Sequence, residues 1–135
     1  MGNKAVRYIG LLLIAVVLVE SGCSSPDDDR KAKLVGTWRC DVDGFRVTWT
    51  LHSDGTWIGN SAANGLMTTL FVGNIDLSGT WRVTDGRLVA NITQSTNSAI
   101  PLGSMFSDEI VESTADRFVI KSAKDGKLET HYRVH

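Results

Sequence analysis

The sequence predicts an all-β protein, a small antiparallel up-and-down meander that closes into a barrel of about eight strands. Apolar and polar residues alternate with a period of two through several short segments, which is typical of strands with one buried face. Asp-Gly pairs that begin at Asp43, Asp54, Asp85 and Asp125 separate these segments. Both residues of such a pair tolerate the positive φ of tight hairpin turns. Closure into a barrel would remove the exposed strand edges of an open sheet.

The predicted strands follow one another with short connections. In chain order they are residues 34–40, 45–53, 56–60, 67–72, 76–84, 87–94, 105–113 and 117–122, with 127–134 as a ninth. The segments 61–66 and 95–104 are rich in Ser, Asn, Ala and Gly, and we expect them to be flexible rims.

The alternation in the last strand sets which of its side chains point inward. Leu128, Tyr132 and Val134 share one face, whereas His131 and Arg133 share the other. Because the first set is the more apolar, the pattern predicts that Tyr132 lines the interior. We therefore expect His131 to be solvated on the surface.

The N-terminal region has the order of an export signal. After a basic start, an apolar run covers residues 9–19, followed by Ser21, Gly22 and Cys23 and then by a polar segment. The run is shorter than the roughly 20 apolar residues of a transmembrane helix. The cysteine at the junction makes the region resemble a bacterial lipoprotein signal, in which the thiol is lipidated and becomes the new N-terminus. A secreted protein and an uncleaved anchor are the alternatives.

This resemblance implies a domain division and a location. Residues 1–22 would be a signal peptide helix, 23–33 a flexible tether and 34–135 the barrel domain. The tether is polar with no apolar face to bury, which predicts disorder. Lipid chains on Cys23 would hold the protein at a membrane. Ser24 is similar to the residue found in lipoproteins of the outer membrane, which would place the domain in the cell envelope, facing the periplasm.

Charge and cysteine content exclude some classes of protein. The formal net charge is −1 and no basic stripe is present, so nucleic-acid binding has no electrostatic basis. Of the two cysteines, Cys23 is assigned to lipid, which leaves Cys40 without an internal disulfide partner. Cys40 shares strand parity with Trp38, and we expect it to be a buried, unreactive thiol.

The tetrapeptide Gly-Thr-Trp-Arg occurs at residues 36–39 and again at 79–82. It could mark a duplicated β unit. It could also mark two strands that independently need a glycine at a bend and a tryptophan to fill one end of the barrel. The second interpretation is favoured, because the lengths of the intervening segments do not match.

At residues 34–38 the sequence Leu-Val-Gly-Thr-Trp resembles the first strand of lipocalin-like proteins, whose Gly-x-Trp motif closes the bottom of the barrel. Residues 51–57 and 78–83 are similar to the strand and turn pattern of bacterial lipocalin-like lipoproteins. The resemblance implies that Gly36 and Trp38 close the barrel and that Arg133 packs on Trp38 through a cation–π contact.

No catalytic or metal-binding constellation is evident, and no cofactor is predicted. Asp108 and Glu109 are adjacent on a strand, so their carboxylates point to opposite faces and cannot act as a glycosidase pair. His131 and His135 lie four residues apart on a strand, too far apart for one metal ion without a bend.

Two non-catalytic functions remain, and an enzyme is the least favoured class. The first is a binding module for a small apolar or amphipathic molecule, with candidate lining residues Phe45, Val47, Trp49, Trp57, Leu70, Phe71, Phe118 and Tyr132. The second is a protein-interaction module with a filled barrel. It would inhibit an envelope enzyme, neutralise a toxin or aid envelope assembly, with residues 61–66, 95–104 and 108–112 as the contact surface.

Overall fold

The computed structural model describes residues 24–63 and 73–135, in which one helix precedes eight strands. The elements are α1 (Pro26–Leu34), β1 (Gly36–Val42), β2 (Phe45–Leu51), β3 (Thr56–Ala63), β4 (Ile75–Thr84), β5 (Arg87–Ser95), β6 (Met105–Ser113), β7 (Arg117–Lys121) and β8 (Leu128–Arg133). Each strand pairs antiparallel with the next, and β8 pairs back onto β1. The predicted all-β closed meander is confirmed.

The connections alternate between two ends of the barrel. We call the end that carries α1 and the β2–β3, β4–β5 and β6–β7 turns the closed end, and the other, with the β1–β2, β5–β6 and β7–β8 connections, the open end. Asp43 and Asp85 begin two of these turns with φ of 50° and 51°, and each is followed by a glycine, also with positive φ. These left-handed pairs are the hairpin turns that the Asp-Gly signals predict.

Several strand bounds differ from the prediction, and β1 begins at Gly36 rather than at residue 34 because Leu34 ends α1. Strand β3 continues to Ala63, so residues 61–63 are part of the wall rather than a rim. The strand predicted at 67–72 lies outside the described residues.

The closed end is packed with large apolar side chains. The largest side chains with almost no solvent exposure are Trp38, Phe118, Leu34, Leu51 and Leu88. The Trp38 and Phe118 rings meet edge to face with centroids 4.8 Å apart, and the Trp38 indole N–H donates to the Leu34 carbonyl at 2.7 Å. Such packing excludes water from this half of the barrel.

Helix α1 corrects the expected disorder of the 23–33 tether for residues 26–33, which are helical. Ser25 and Asp28 form a reciprocal capping box at its N-terminus, and Pro26 occupies its first turn. The Asp27 carboxylate accepts the backbone N–H groups of Asp85 at 2.8 Å and Gly86 at 2.9 Å, in the β4–β5 turn. The helix has no apolar face of its own, and these tertiary contacts hold it across the closed end.

The inward and outward faces of strand β8 are the reverse of those that its sequence pattern predicts. Its register pairs His131 with Phe118 on β7 and Arg133 with Trp38 on β1, and both partners point into the barrel. His131 is therefore buried, with 3% of its surface exposed, whereas Tyr132 is 56% exposed. The predictions of an inward Tyr132 and a solvated His131 are wrong.

Candidate functional site

A cavity of about 270 Å³ occupies the barrel interior on the open-end side of the packed Trp38 and Phe118 rings. Its apolar wall comes from strands β2, β3, β5, β6 and β7, through the side chains Val47, Trp49, Trp57, Ile92, Phe106 and Ile120. Its polar wall includes Asp108 on β6 and both Glu129 and His131 on β8. The interior is thus mostly apolar with a few polar groups, as small-molecule sites are.

Two tryptophans, Trp49 and Trp57, form part of the cavity wall. The Trp49 and Trp57 rings meet edge to face, with centroids 6.0 Å apart. The Trp57 indole N–H donates to the Asn91 carbonyl at 3.0 Å, which fixes the ring. Gly59 permits this packing, because a Cβ there would lie 3.1 Å from the Trp57 ring and 3.2 Å from Trp49 Cβ. The glycine therefore gives both indoles room at the cavity surface.

His131 is a buried polar residue of the barrel interior. Its ring stacks on Phe118 with centroids 4.4 Å apart, and its Nδ1 accepts the Trp49 indole N–H at 3.1 Å. Its Nε2 is buried and has no hydrogen-bond partner in the described part of the chain. The nearest anionic atom is Glu129 Oε2, 3.8 Å away.

Cys40 also lines the cavity and is 5% exposed, where the sequence places it. Burial, together with the nearby Glu129 and Asp41 carboxylates, raises the pKa of its thiol to about 12. At neutral pH the thiol is protonated and a poor nucleophile.

The predicted lining residues divide into three groups. Val47, Trp49 and Trp57 line the cavity. Phe118 packs beneath it at the closed end, Phe45 is half-buried at the start of β2, and Tyr132 points outward. Leu70 and Phe71 lie outside the described residues.

Sequence reasoning missed His131 and Glu129 as inward residues. A signal for both was present, since the cation–π contact that the resemblance implies puts Arg133 inside the barrel. Residues 129, 131 and 133 alternate along one strand, so their side chains point to the same face. If Arg133 points inward, Glu129 and His131 must point inward as well.

Arg133 seals the closed end beneath Trp38. Its guanidinium carbon lies 4.2 Å from the Trp38 ring centroid, and its N–H groups donate to the carbonyls of Val35 and Lys33, both at 3.1 Å. Gly36 has φ of +137°, and a Cβ there would overlap Arg133 Nη1. Only glycine suits this position, for its backbone conformation and for the space it leaves.

The second Gly-Thr-Trp-Arg tetrapeptide has a different structural basis. A Cβ on Gly79 would overlap the Asn91 carbonyl oxygen of the neighbouring strand, beside a register shift between Ser78 and Gly79. The Trp81 indole donates to the His52 carbonyl at 2.9 Å. The two glycines thus accommodate different neighbours, an arginine side chain at Gly36 and a backbone carbonyl at Gly79.

Comparison with known proteins defines the fold. No family model matches the chain, and no curated protein sequence matches it. Among solved structures, a lipocalin-like protein from Bacteroides uniformis ATCC 8492 is similar, with a TM-score of 0.54 and 11% sequence identity. The match covers 76% of this chain and 99% of that chain. The chain has a lipocalin-like fold.

The lipocalin-like barrel contains no grouping of three or more His, Cys, Asp or Glu side chains arranged to hold a metal ion, within residues 24–63 and 73–135. Over the same residues, no helix has the length and apolarity needed to span a bilayer. The cavity is slightly smaller than the roughly 300–1,000 Å³ of typical ligand pockets.

Proposed function

We propose that this chain is a lipid-anchored, non-catalytic envelope protein that binds a small apolar or amphipathic molecule inside its lipocalin-like barrel. The observation that carries the proposal is the interior cavity of about 270 Å³ beside Trp49 and Trp57. A barrel of eight strands is just wide enough either to be filled by its own side chains or to hold one small ligand. Here the closed end is filled and the cavity remains above it.

The size and chemistry of the cavity limit the ligand. The Trp49, Trp57 and Phe106 rings offer edges and faces for a flat apolar body. The volume suits a molecule of about two fused rings rather than a long acyl chain or a tetrapyrrole. Acidic side chains, Asp108 and Glu129, line the same cavity and disfavour an anionic ligand.

Retention and uptake measurements test ligand binding. Native mass spectrometry of the purified protein should show a bound small molecule, or the protein should take up an apolar fluorophore. Val47→Phe fills the cavity and should weaken uptake, whereas Val111→Phe, at a position 52% exposed on β6, should leave uptake unchanged. No bound molecule and no uptake in the wild-type protein would overturn the proposal.

The anchoring part of the proposal rests on the resemblance of residues 1–23 to a lipoprotein signal, with Cys23 as the lipidated residue. Ser24 supports the outer membrane, with the domain facing the periplasm. Cys23→Ala should move the protein from the membrane fraction to the soluble periplasmic fraction of cells, and Cys40→Ala is the matched control. Membrane retention of the Cys23 variant would contradict lipid anchoring.

A second candidate function, protein interaction, is favoured by the seam between β1 and β8. The register of these strands pairs Trp38 with Arg133 and Arg39 with Tyr132, at their closed-end halves. A groove of about 590 Å³ runs along the open-end halves, beside the exposed Leu128 and Tyr132. Strand edges of this kind can accept a strand from a partner protein. A photo-crosslinking residue at Leu128, with one at Ile58 as control, should then capture one dominant envelope protein.

A further inference from the structure

His131 and Glu129 lie side by side at the cavity and leave hydrogen-bonding capacity unused. His131 Nε2 is buried without a hydrogen-bond partner in the described part of the chain, and the Glu129 carboxylate makes no hydrogen bond there either. Buried polar atoms almost always have a partner in folded proteins, so an unpaired one at a cavity needs an explanation.

The hydrogen bond from Trp49 assigns the proton on His131. Nδ1 accepts the Trp49 indole N–H at 3.1 Å, so the neutral imidazole carries its own proton on Nε2. Nε2 is therefore a donor. Stacking on Phe118 holds the ring in this orientation.

The Glu129 carboxylate is a hydrogen-bond acceptor close to His131, at a distance that leaves room for one bridging oxygen atom. Its Oε2 lies 3.8 Å from His131 Nε2, beyond direct hydrogen-bond range. One oxygen atom about 2.9 Å from the nitrogen and about 2.7 Å from the carboxylate fits between two atoms so spaced. That oxygen would accept from His131 and donate to Glu129.

We propose that the ligand is a neutral alcohol or phenol whose hydroxyl group binds between His131 and Glu129, with its apolar body against Trp49. This deepens the proposed ligand binding and rests on it. A ketone or ether cannot donate to Glu129, and an ammonium group cannot accept from His131. A carboxylate would be repelled by Glu129 and Asp108.

His131 Nε2 has almost no exposed surface, so a hydroxyl group can reach it only if a neighbouring side chain moves. The Glu129 side chain is 30% exposed and has no hydrogen bond within the described residues to hold it. It can swing toward the open end, admit the hydroxyl group and then accept its proton.

Two probes of nearly equal shape test this proposal, 2-naphthol and 2-methylnaphthalene. Burial of apolar surface alone favours the methyl compound. A hydroxyl bound between His131 and Glu129 should reverse that order, with 2-naphthol binding roughly tenfold or more tightly. Titration of the Trp49 indole N–H signal in ¹H–¹⁵N spectra measures both affinities.

Variants then assign the preference to these residues. Glu129→Leu should abolish the preference for 2-naphthol. Glu109→Leu makes the same change at an exposed position on β6 and should retain it. A wild-type measurement guards against a misfolded variant, since 2-naphthol, but not 2-methylnaphthalene, should shift the ¹⁵N signal of His131 Nε2.

The possible outcomes separate this proposal from the broader one. If 2-methylnaphthalene binds as tightly as 2-naphthol or more tightly, a structural water rather than a ligand pairs His131 with Glu129. The hydroxyl proposal is then overturned while cavity binding stands. If neither probe binds and no apolar fluorophore is taken up, ligand binding fails as well.

Discussion

The two ends of the barrel differ in how completely their side chains are packed and hydrogen-bonded. At the closed end Trp38 is fully buried, its indole N–H is bonded to Leu34, and Arg133 lies against its ring. At the open end an apolar cavity remains, and His131 Nε2 has no hydrogen-bond partner in the described chain. Dense packing and complete hydrogen bonding stabilise a fold, whereas unfilled space and an unused donor are what a ligand requires.

The two ends meet at Phe118. One side of its ring contacts Trp38 and belongs to the packed core, and the other stacks on His131 beneath the cavity. The closed end thus acts as a rigid base for the site. Substitutions at the two ends should consequently separate stability from binding.

The largest expected effect is that of Trp38→Ala at the closed end. Removal of a fully buried indole that contacts Phe118 and Arg133 should lower the free energy of unfolding by about 3–5 kcal/mol. Urea denaturation measures the change. Val42→Ala, in the half-buried cavity wall, is the control and should cost about 1 kcal/mol. Equal losses of unfolding free energy in the two variants would contradict the assignment of stability to the closed end.

The next largest effect is expected for Gly36→Ala. The positive φ alone should cost about 1–3 kcal/mol, and the new Cβ must also displace Arg133. Gly73→Ala, at φ +67° with no atom within 4 Å of the added Cβ, tests backbone strain without overlap. Thermal unfolding of both variants should show the greater loss at Gly36. If Gly36→Ala lost no more stability than Gly73→Ala, overlap with Arg133 would not contribute to the requirement for glycine at position 36.

A smaller effect, dependent on pH, is expected for Asp27→Asn in α1. Hydrogen bonds from the backbone of Gly86, then of Asp85, with the Arg30 charge, hold the pKa of Asp27 below its usual 3.8. Because the folded-state pKa is lowered, the stabilisation is fully present at neutral pH. It is lost as the pH falls from the ordinary value through the lowered one.

Asp27→Asn should therefore weaken the acid sensitivity of unfolding below pH 4, although Asp54 and Asp125, whose pKa values are also lowered, will retain part of it. Faster hydrogen exchange at the Gly86 amide in the variant should locate the effect in the β4–β5 turn. An unchanged pH profile and unchanged exchange would mean that contacts other than Asp27, such as burial of Leu34 and the hydrogen bond from Arg133 to the Lys33 carbonyl, hold the helix.

The smallest effect is expected for Tyr132→Ser on the outer face of β8. Because Tyr132 is 56% exposed, stability should change by no more than about 0.5 kcal/mol. The inward orientation that the strand pattern predicts would instead give a loss of several kcal/mol, as for other buried aromatic residues. Chemical denaturation distinguishes the two.

Local sequence was sufficient to predict much of the wall. The Asp-Gly turns are local events, and the alternation of β2 correctly places Trp49 and Leu51 inside, both at 5% exposure or less. The Gly36, Trp38 and Arg133 arrangement came from a resemblance rather than from periodicity, and the structure brings these three residues together.

The failures have a common physical cause, which is dependence on distant partners. Both faces of β8 carry residues that could be buried. A shift of one residue in the pairing register would exchange the inward and outward faces. The choice is made by pairing with Phe118 and Trp38, and local alternation does not record it. Likewise, α1 depends on the β4–β5 turn, more than fifty residues away, although the capping box of Ser25 and Asp28 was visible in the sequence.

The position of α1 has a consequence for how an anchored protein would face its surroundings. The helix is fastened across the closed end through Asp27 and Leu34, and only Ser24 and Ser25 separate it from Cys23. The three residue steps from Cys23 to Pro26 span at most about 11 Å. With a lipid on Cys23, the barrel would stand on the membrane with its base down and its cavity directed into the aqueous compartment. It would then collect molecules from that compartment rather than from the bilayer beneath it.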